Sequence, residues 1–189
     1  MSSSQALLSS SAPELIEKLG LEEHFEGGFF KQTEAIQDED DLKATQIYYL
    51  LSSKSPRGKM HMNMNHTFHV HHSGRSLYTL IKPPSSASER PLVKRVVMGS
   101  NLAAGELLQL YVPGGWWKAS EIPAEDLQDV EEEQKDRVGC LISEVVCPGW
   151  TINQHKFLTR AKLQDMWKGE SGWEEFQAYI RVESEEETK

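Results

Sequence analysis

Short segments rich in β-branched and aromatic residues recur along this chain, and turns containing glycine, proline or serine separate them. The segments are 45–51 (TQIYYLL), 76–81 (SLYTLI), 92–98 (LVKRVVM), 107–112 (LLQLYV), 116–122 (WWKASEI) and 140–146 (CLISEVV). Residues of these types favour strands, and many short strands divided by tight turns are typical of β-sandwiches and barrels. Because the 189 residues show no internal repeat and no second domain, the sequence predicts one all-β domain.

The two ends of the chain depart from this pattern. Residues 12–19 (APELIEKL) are predicted to form a short helix, since Pro13 stands near its start and Gly20 follows its end. Two closing helices are predicted over 159–167 and 173–180, the second with its aromatic side chains on one stripe. The predicted organisation is a disordered leader over 1–11, the β domain over 12–158, a helical extension over 159–181 and an acidic tail over 182–189.

Five of the seven histidines lie in one stretch, residues 59–74 (KMHMNMNHTFHVHHSG). In an extended strand, alternate side chains point to opposite faces, so Thr67, His69 and His71 are predicted to share one face. A strand face that carries two imidazoles is either exposed to solvent or lines a polar cavity. We predict a cavity, and we place the functional site there.

The other histidines are weaker candidates for the site. His66 and His72 lie in the turn or on the opposite parity, and they are predicted at the surface. His24 and His155 fall in predicted loops, and the position of His24 beside EGGFF leaves open whether it reaches the site.

Net charge and cysteine content narrow the class of protein. The formal net charge of −9 argues against nonspecific binding of nucleic acid, which needs a cationic surface. No apolar run approaches the ~20 residues that cross a bilayer, and the first residues lack the features of a secretory signal. Cys140 and Cys147 are seven residues apart, so on a continuous strand their side chains would point to opposite faces. A disulfide between them is therefore not expected, and we predict reduced thiols. These features predict a cytoplasmic protein without a membrane or nucleic-acid partner.

Several motifs follow one another in a recognisable order: LIEKLGLEEHFEGGFFKQT, TQIYYLL, the histidine stretch, VPGGWWKAS and SEVVCPGW. From about Leu15 to Phe157 they resemble the cupin superfamily, and most closely its small single-barrel branch, Cupin-5. The resemblance implies a double-stranded β-helix, the jelly-roll barrel, with a ligand cavity inside and often a dimeric state. The expected partners are therefore a second copy of the chain, in a homodimer, and an anionic or sugar-like small molecule.

The chain departs from the ligand pattern that the resemblance implies for metal-binding cupins. Lys59 stands at the first histidine position of that pattern, His61 at the second, Thr67 at the glutamate and Lys118 at the last histidine. A lysine ammonium has no free lone pair and repels a cation. We therefore expect no cofactor, and a metal is disfavoured.

The first functional hypothesis is a metal-independent isomerase, epimerase or lyase. Proton abstraction beside a carbonyl needs a base that titrates near ambient pH, as histidine does, and a donor where the enolate oxygen forms. Lysine and tyrosine side chains can supply that donor, and an aromatic side chain can stack on the substrate. The candidate catalytic residues are His69, His71 and His61, and the candidate substrate-binding residues are Lys59, Lys118, Thr67, Tyr48, Tyr78 and Trp116.

Two alternatives remain open from the sequence. The same lysines, imidazoles and tryptophans could bind a small acidic metabolite or sugar without changing it. A metal-dependent oxygenase is the other alternative, with His61, His69 and His71 as a non-standard set of nitrogen ligands.

Overall fold

Two antiparallel sheets form the body of the protein in the computed structural model, which describes residues 6–128 and 130–180. The strands are β1 (Glu22–Glu23), β2 (Phe29–Asp38), β3 (Asp41–Ser52), β4 (His61–Asn63), β5 (His66–Gly74), β6 (Ser76–Lys82), β7 (Leu92–Met98), β8 (Gln109–Val112), β9 (Trp117–Glu121), β10 (Gly139–Cys147) and β11 (His155–Phe157). The α-helices are α1 (Ala12–Leu19), α2 (Ala124–Leu127) and α3 (Arg160–Met166). Short 3-10 helices cover Leu102–Ala104, Glu132–Arg137, Ile152–Gln154 and Glu174–Tyr179.

Strands from distant parts of the chain interleave within each sheet. Sheet A has the order β1-β2-β3-β10-β5-β8, and sheet B has the order β11-β4-β9-β6-β7. Thus β10 pairs with both β3 and β5, while β9 pairs with both β4 and β6. This architecture of two antiparallel sheets with few helices confirms the predicted all-β jelly roll.

Strand β5 has the alternation that the histidine stretch predicts. Thr67 and His69 are buried, whereas His66, Phe68 and Val70 are exposed on the other face. The register places His69 directly opposite Glu144 of β10. The period of two therefore directs His69 into the interior of the barrel.

The N-terminal helix begins and ends as predicted. The Ser11 side chain accepts a hydrogen bond from the Glu14 N–H, and Gly20 closes the helix with a positive φ of 63°. The predicted leader, however, does not extend to residue 11. Leu8 is fully buried and its N–H donates to the Arg137 carbonyl over 2.8 Å, so this part of the leader packs on the domain. Residues 1–5 lie outside the described ranges.

The C-terminal extension packs on the outer face of sheet B. Helix α3 agrees with the predicted helix over 159–167, but the segment predicted as a helix over 173–180 is a 3-10 helix. Trp173, Phe176 and Tyr179 are all buried, and their spacing of three matches the three residues per turn of a 3-10 helix. The predicted acidic tail, 182–189, lies outside the described ranges.

Among the described helices, none combines the length and the apolar character needed to cross a membrane.

Candidate functional site

A cavity of about 120 Å³ lies between the inner faces of the two sheets. Its apolar and aromatic lining comprises Phe25, Phe30, Ile47, Tyr49, Tyr78, Val146 and Trp150. Its polar lining includes His24, Glu26, His61, Asn63, His69, Lys118, Ser120 and Glu144. Mostly apolar walls with a few convergent polar groups are typical of a small-molecule site.

The buried side chains of Lys118 and His69 and the largely buried side chain of Glu144 meet in one part of the cavity. The Lys118 Nζ, on β9 of sheet B, lies 2.6 Å from Glu144 Oε1 and 3.1 Å from His69 Nε2, both on sheet A. The second carboxylate oxygen, Glu144 Oε2, lies 3.0 Å from His69 Nε2. Because Glu144 and His69 are paired across strands while Lys118 reaches them from the facing sheet, the contact joins the two halves of the barrel. We call these residues the Lys118 triad.

The protonation states of the triad follow from its contacts. The His69 Nδ1 lies 3.3 Å from the Leu110 carbonyl, and its Nε2 lies between the Lys118 ammonium and Glu144 Oε2. With the proton on Nδ1, Nε2 accepts from Lys118, and with the proton on Nε2, it donates to Glu144. Burial and then the Lys118 charge lower the pKa of His69. Burial opposes ionisation of Glu144, but Lys118 and His69 outweigh it and hold its pKa well below its usual range. The triad is therefore an ammonium–carboxylate pair beside a neutral imidazole.

A second buried cluster surrounds the Glu26 carboxyl, which lies in the loop between β1 and β2. Glu26 Oε2 lies 3.4 Å from His61 Nε2 and 3.5 Å from His24 Nδ1, and Glu26 Oε1 lies 3.4 Å from His155 Nδ1. The rings of His61 and His155 stack with their centroids 5.2 Å apart. We call these residues the Glu26 cluster.

Burial governs the titration of the Glu26 cluster. It raises the pKa of Glu26 to about 8 and lowers the pKa of His24 and of His155 to about 4. Burial and then the Lys118 charge also hold the pKa of His61 well below its usual range. Near neutral pH the cluster therefore carries little net charge.

The structure brings together some of the predicted site residues. His61, His69, Lys118 and Tyr78 all line the cavity, and the Tyr78 ring packs edge-on against His69 with centroids 5.1 Å apart. Thr67 is buried on the inner face as predicted, but its neighbours across the strands are Val112 and Val146 and it does not line the cavity.

Four predicted site residues lie elsewhere. The Lys59 ammonium donates to the Phe25 carbonyl over 3.0 Å and is outside the cavity lining. His71 has the parity of His69, but it is half-buried beyond the cavity and its Nε2 donates to the Gly74 carbonyl. Successive side chains on β3 point to opposite faces of the sheet. Tyr49 lines the cavity, and Tyr48 therefore faces outward, where its ring packs against His72. Trp116 immediately precedes the first residue of β9. Its side chain packs against the hydrophobic core of the barrel and is outside the cavity lining.

Sequence reasoning missed the two cavity carboxylates, Glu144 and Glu26. Glu144 is the one charged residue in the apolar segment CLISEVV. Since charged residues are rarely buried without a partner, a glutamate at this position could have indicated a buried functional group. Glu26 and His155 gave no such signal, since both lie in segments that appear solvated in sequence. Neither of the two lysines predicted to bind substrate is a free cation in the cavity. The ammonium of Lys118 is paired with Glu144, and Lys59 lies outside the lining.

The side chains present do not fit the metal centre of the wider superfamily. His71 lies outside the cavity, so the set of His61, His69 and His71 is not assembled. The Lys118 ammonium lies against His69 Nε2, where it competes with any cation for that lone pair. Within residues 6–128 and 130–180, no group of three or more His, Cys, Asp or Glu side chains is arranged to hold a metal ion.

The buried Glu26 carboxyl makes stability depend on pH. Its pKa rises from 4.5 to about 8 on folding, so the folded chain keeps a proton that the unfolded chain releases. This contribution to stability is fully present below about pH 4.5 and is lost as the pH rises through about 8. The pKa values of His24 and His155 fall from 6.5 to about 4, so the stability gained by keeping them neutral is complete about one unit above pH 6.5 and is lost as the pH falls toward 4.

We therefore expect the Glu26 carboxyl to lower the free energy of unfolding by about 1.5 kcal/mol between pH 6.5 and 8, against an opposing rise from the buried imidazoles. Glu26→Gln, which is uncharged at both pH values, should remove the fall and leave the rise, so the two proteins should differ by about 1.5 kcal/mol in their pH dependence. Urea denaturation at the two pH values measures the difference, and Glu22→Gln, at an exposed position on β1, is the matched control. An equal change with pH in wild type and Glu26→Gln would show that Glu26 is not the titrating group.

Comparisons with known proteins agree with this architecture. Uncharacterized protein YML079W of Saccharomyces cerevisiae is 35% identical over 166 residues, which cover 79% of this chain and 76% of that protein. A hypothetical protein from Leishmania major has a TM-score of 0.71 at 24% identity, with 92% of this chain and 100% of that chain covered. Protein SO0799 from Shewanella oneidensis has a TM-score of 0.71 at 24% identity, with 92% of this chain and 99% of that chain covered.

The family comparison covers most of the barrel. The sequence pattern of the family described as "Cupin superfamily (DUF985)" matches residues 13–158, from the start of α1 to the end of β11. This match agrees with the motifs that carried the resemblance and with the jelly-roll topology. The chain is a cupin-fold protein, and it belongs to the DUF985 family, Cupin-5, of the cupin superfamily.

Proposed function

We propose that the cavity binds a small, uncharged, sugar-like carbonyl compound and catalyses metal-independent proton transfer at the carbon beside the carbonyl, as isomerases, epimerases and some lyases do. The Lys118 triad is the observation that carries this proposal. Two of the three ammonium protons can be donated to Glu144 and His69, which leaves one for a ligand. That proton is a donor for a carbonyl oxygen on which negative charge develops.

The charge balance of the cavity supports an uncharged ligand over an anion. Lys118 is neutralised by Glu144, and the Glu26 cluster carries little net charge near neutral pH. Lys59, the other lysine expected to bind an anion, lies outside the cavity lining. The volume of about 120 Å³ further supports a compound of few carbon atoms.

The surroundings of Lys118 support a catalytic use of this ammonium. His69 Nε2 is a proton acceptor at 3.1 Å, and Glu144 Oε2 can stabilise an imidazolium on His69 at 3.0 Å. A proton can therefore pass between Lys118 and His69 without leaving the triad. Such fixed and buried donors stabilise a developing enolate more than the ground-state carbonyl.

Uptake of deuterium from D2O tests the proposal. We expect NMR to show exchange at the carbon beside the carbonyl in at least one of glycolaldehyde, glyceraldehyde and dihydroxyacetone. His69→Gln, which loses the proton acceptor of the triad, should slow the exchange by about 100-fold. His72→Gln, on the outer face of β5, is the control and should match wild type.

Binding without exchange would favour the alternative function, a non-catalytic binding protein. A probe that raises the melting temperature of the wild type but takes up no deuterium would support that alternative. Exchange of equal rate in wild type and His69→Gln would contradict the role of the triad.

A further inference from the structure

Proton abstraction from carbon needs a base, and the Lys118 triad supplies a donor instead. The Glu26 cluster lines the same cavity, and Lys118 is the cross-strand neighbour of His61, a member of that cluster. Both groups line the same cavity, so a ligand there can contact both of them.

Hydrogen-bond geometry places a proton on the Glu26 cluster. The His61 Nδ1 lies 2.9 Å from the Lys59 carbonyl, which can only accept, so the proton is on Nδ1 and Nε2 has a lone pair. The His24 Nδ1 accepts the Glu26 N–H over 3.4 Å, so it carries no proton that it could donate to the carboxyl. Glu26 Oε2 contacts both nitrogens, and an oxygen between two acceptors is stabilised by a proton of its own.

The groups that face Glu26 come from several elements. The neighbouring imidazoles are those of His24 in its own loop, His61 of β4 and His155 of β11. The charges of Lys118, Glu144 and Lys59 act from a greater distance, and the first two oppose each other. Burial remains the largest effect and raises the pKa of Glu26 to about 8, which is close to the pH at which a base and its conjugate acid are both available.

We propose that Glu26 is the catalytic base of this site, with small uncharged 2-hydroxy aldehydes and ketones as the substrate class. This inference rests on the proposed function. The Glu26 carboxylate takes the proton from the carbon beside the carbonyl, and the electrons of the C–H bond form the enolate double bond. The displaced carbonyl electrons are held on oxygen by the Lys118 ammonium. Return of the proton from Glu26 to the same carbon restores the starting charges. For return to the adjacent carbon, Lys118 also gives a proton to the former carbonyl oxygen and the triad takes the proton of the hydroxyl oxygen, so the charges balance and no oxidant or further reactant is needed.

The imidazoles of the cluster serve as positioning residues in this scheme. The pKa values of His24 and His155 lie near 4 and that of His61 is also low, so each is a weak base toward carbon. Their nitrogens surround the carboxyl within 3.5 Å and can share its proton while the substrate enters.

Two variants separate the role of Glu26 from that of the triad. We expect Glu26→Gln, which keeps the shape and the donor to His61, to lower the rate of deuterium uptake into glyceraldehyde and dihydroxyacetone by at least 100-fold. Glu26→Asp should recover part of that rate. The wild-type rate should rise with pH with a midpoint near pH 8 and level off above it. A titration of ¹³C-labelled glutamate carboxyls by NMR should show one signal with a midpoint near pH 8 that Glu26→Gln removes.

The outcomes are distinguishable. Exchange by the wild type that Glu26→Gln leaves unchanged would overturn the role of Glu26 and leave the proposed function standing. Absence of exchange in the wild type, with all three probes used above, would reject the proposed function and the base together. A Glu26 carboxyl that titrates near its ordinary value of 4.5 would overturn the inference whatever the rates are.

Discussion

Lys118→Met is expected to lower the free energy of unfolding by about 3–5 kcal/mol, because it leaves the buried Glu144 carboxylate without its partner. The ammonium and the carboxylate lie 2.6 Å apart, and their side chains are only 4% and 13% exposed. Methionine keeps most of the volume of lysine, so the loss reports the charge and not a cavity. Urea denaturation of the wild type and the variant at pH 7 measures it.

The chain offers a matched control and a double variant for this prediction. Lys43 and Asp41 are also 2.6 Å apart, but their side chains are 49% and 67% exposed, so Lys43→Met should cost no more than about 0.5 kcal/mol. Lys118→Met combined with Glu144→Met removes both charges and should cost well below the sum of the single variants. Additive losses would mean that the two charges do not interact, and would remove the basis of the Lys118 triad.

Phe176→Ala is expected to cost about 3–5 kcal/mol, the usual range for a phenylalanine removed from a well-packed core. Phe176 is fully buried, packs against Trp167 with ring centroids 5.2 Å apart, and lies under the Arg95 guanidinium. The same cluster contains Met60 and Trp117, which flank His61 and Lys118 in sequence. Loss of Phe176 should therefore also loosen the packing of the strands β4 and β9, which carry His61 and Lys118 on their inner face.

The comparison for Phe176→Ala is Leu102→Ala. Leu102 is 63% exposed, so its removal should change the free energy of unfolding by no more than about 0.5 kcal/mol. A Phe176→Ala variant as stable as Leu102→Ala would show that the C-terminal segment does not contribute to the fold of the barrel.

Local sequence patterns predicted the elements but not their partners. The alternation of β5 identified His69 as an inward residue, and the same rule grouped it with Thr67 and His71. Strand alternation predicts which face of the sheet a side chain points to, but not its position along the barrel. Thr67 and His71 therefore lie on the same face as His69 without lining the cavity. Tyr48 and Tyr49 are adjacent in sequence, and only the observed position of β3 decides which of the two faces inward.

The sequence by itself determined the all-β class, the N-terminal helix and the inward direction of His69, because period and capping are properties of neighbouring residues. The jelly-roll topology and the candidacy of His61 and Lys118 came from the resemblance to cupins. Only the tertiary structure decided that Glu144 lies opposite His69 and that Glu26 lies among three imidazoles, because strand order and loop packing bring distant residues together. It also decided the charge of the site. Ionisation depends on burial and on the partner within a few ångströms, and neither is encoded in the local pattern.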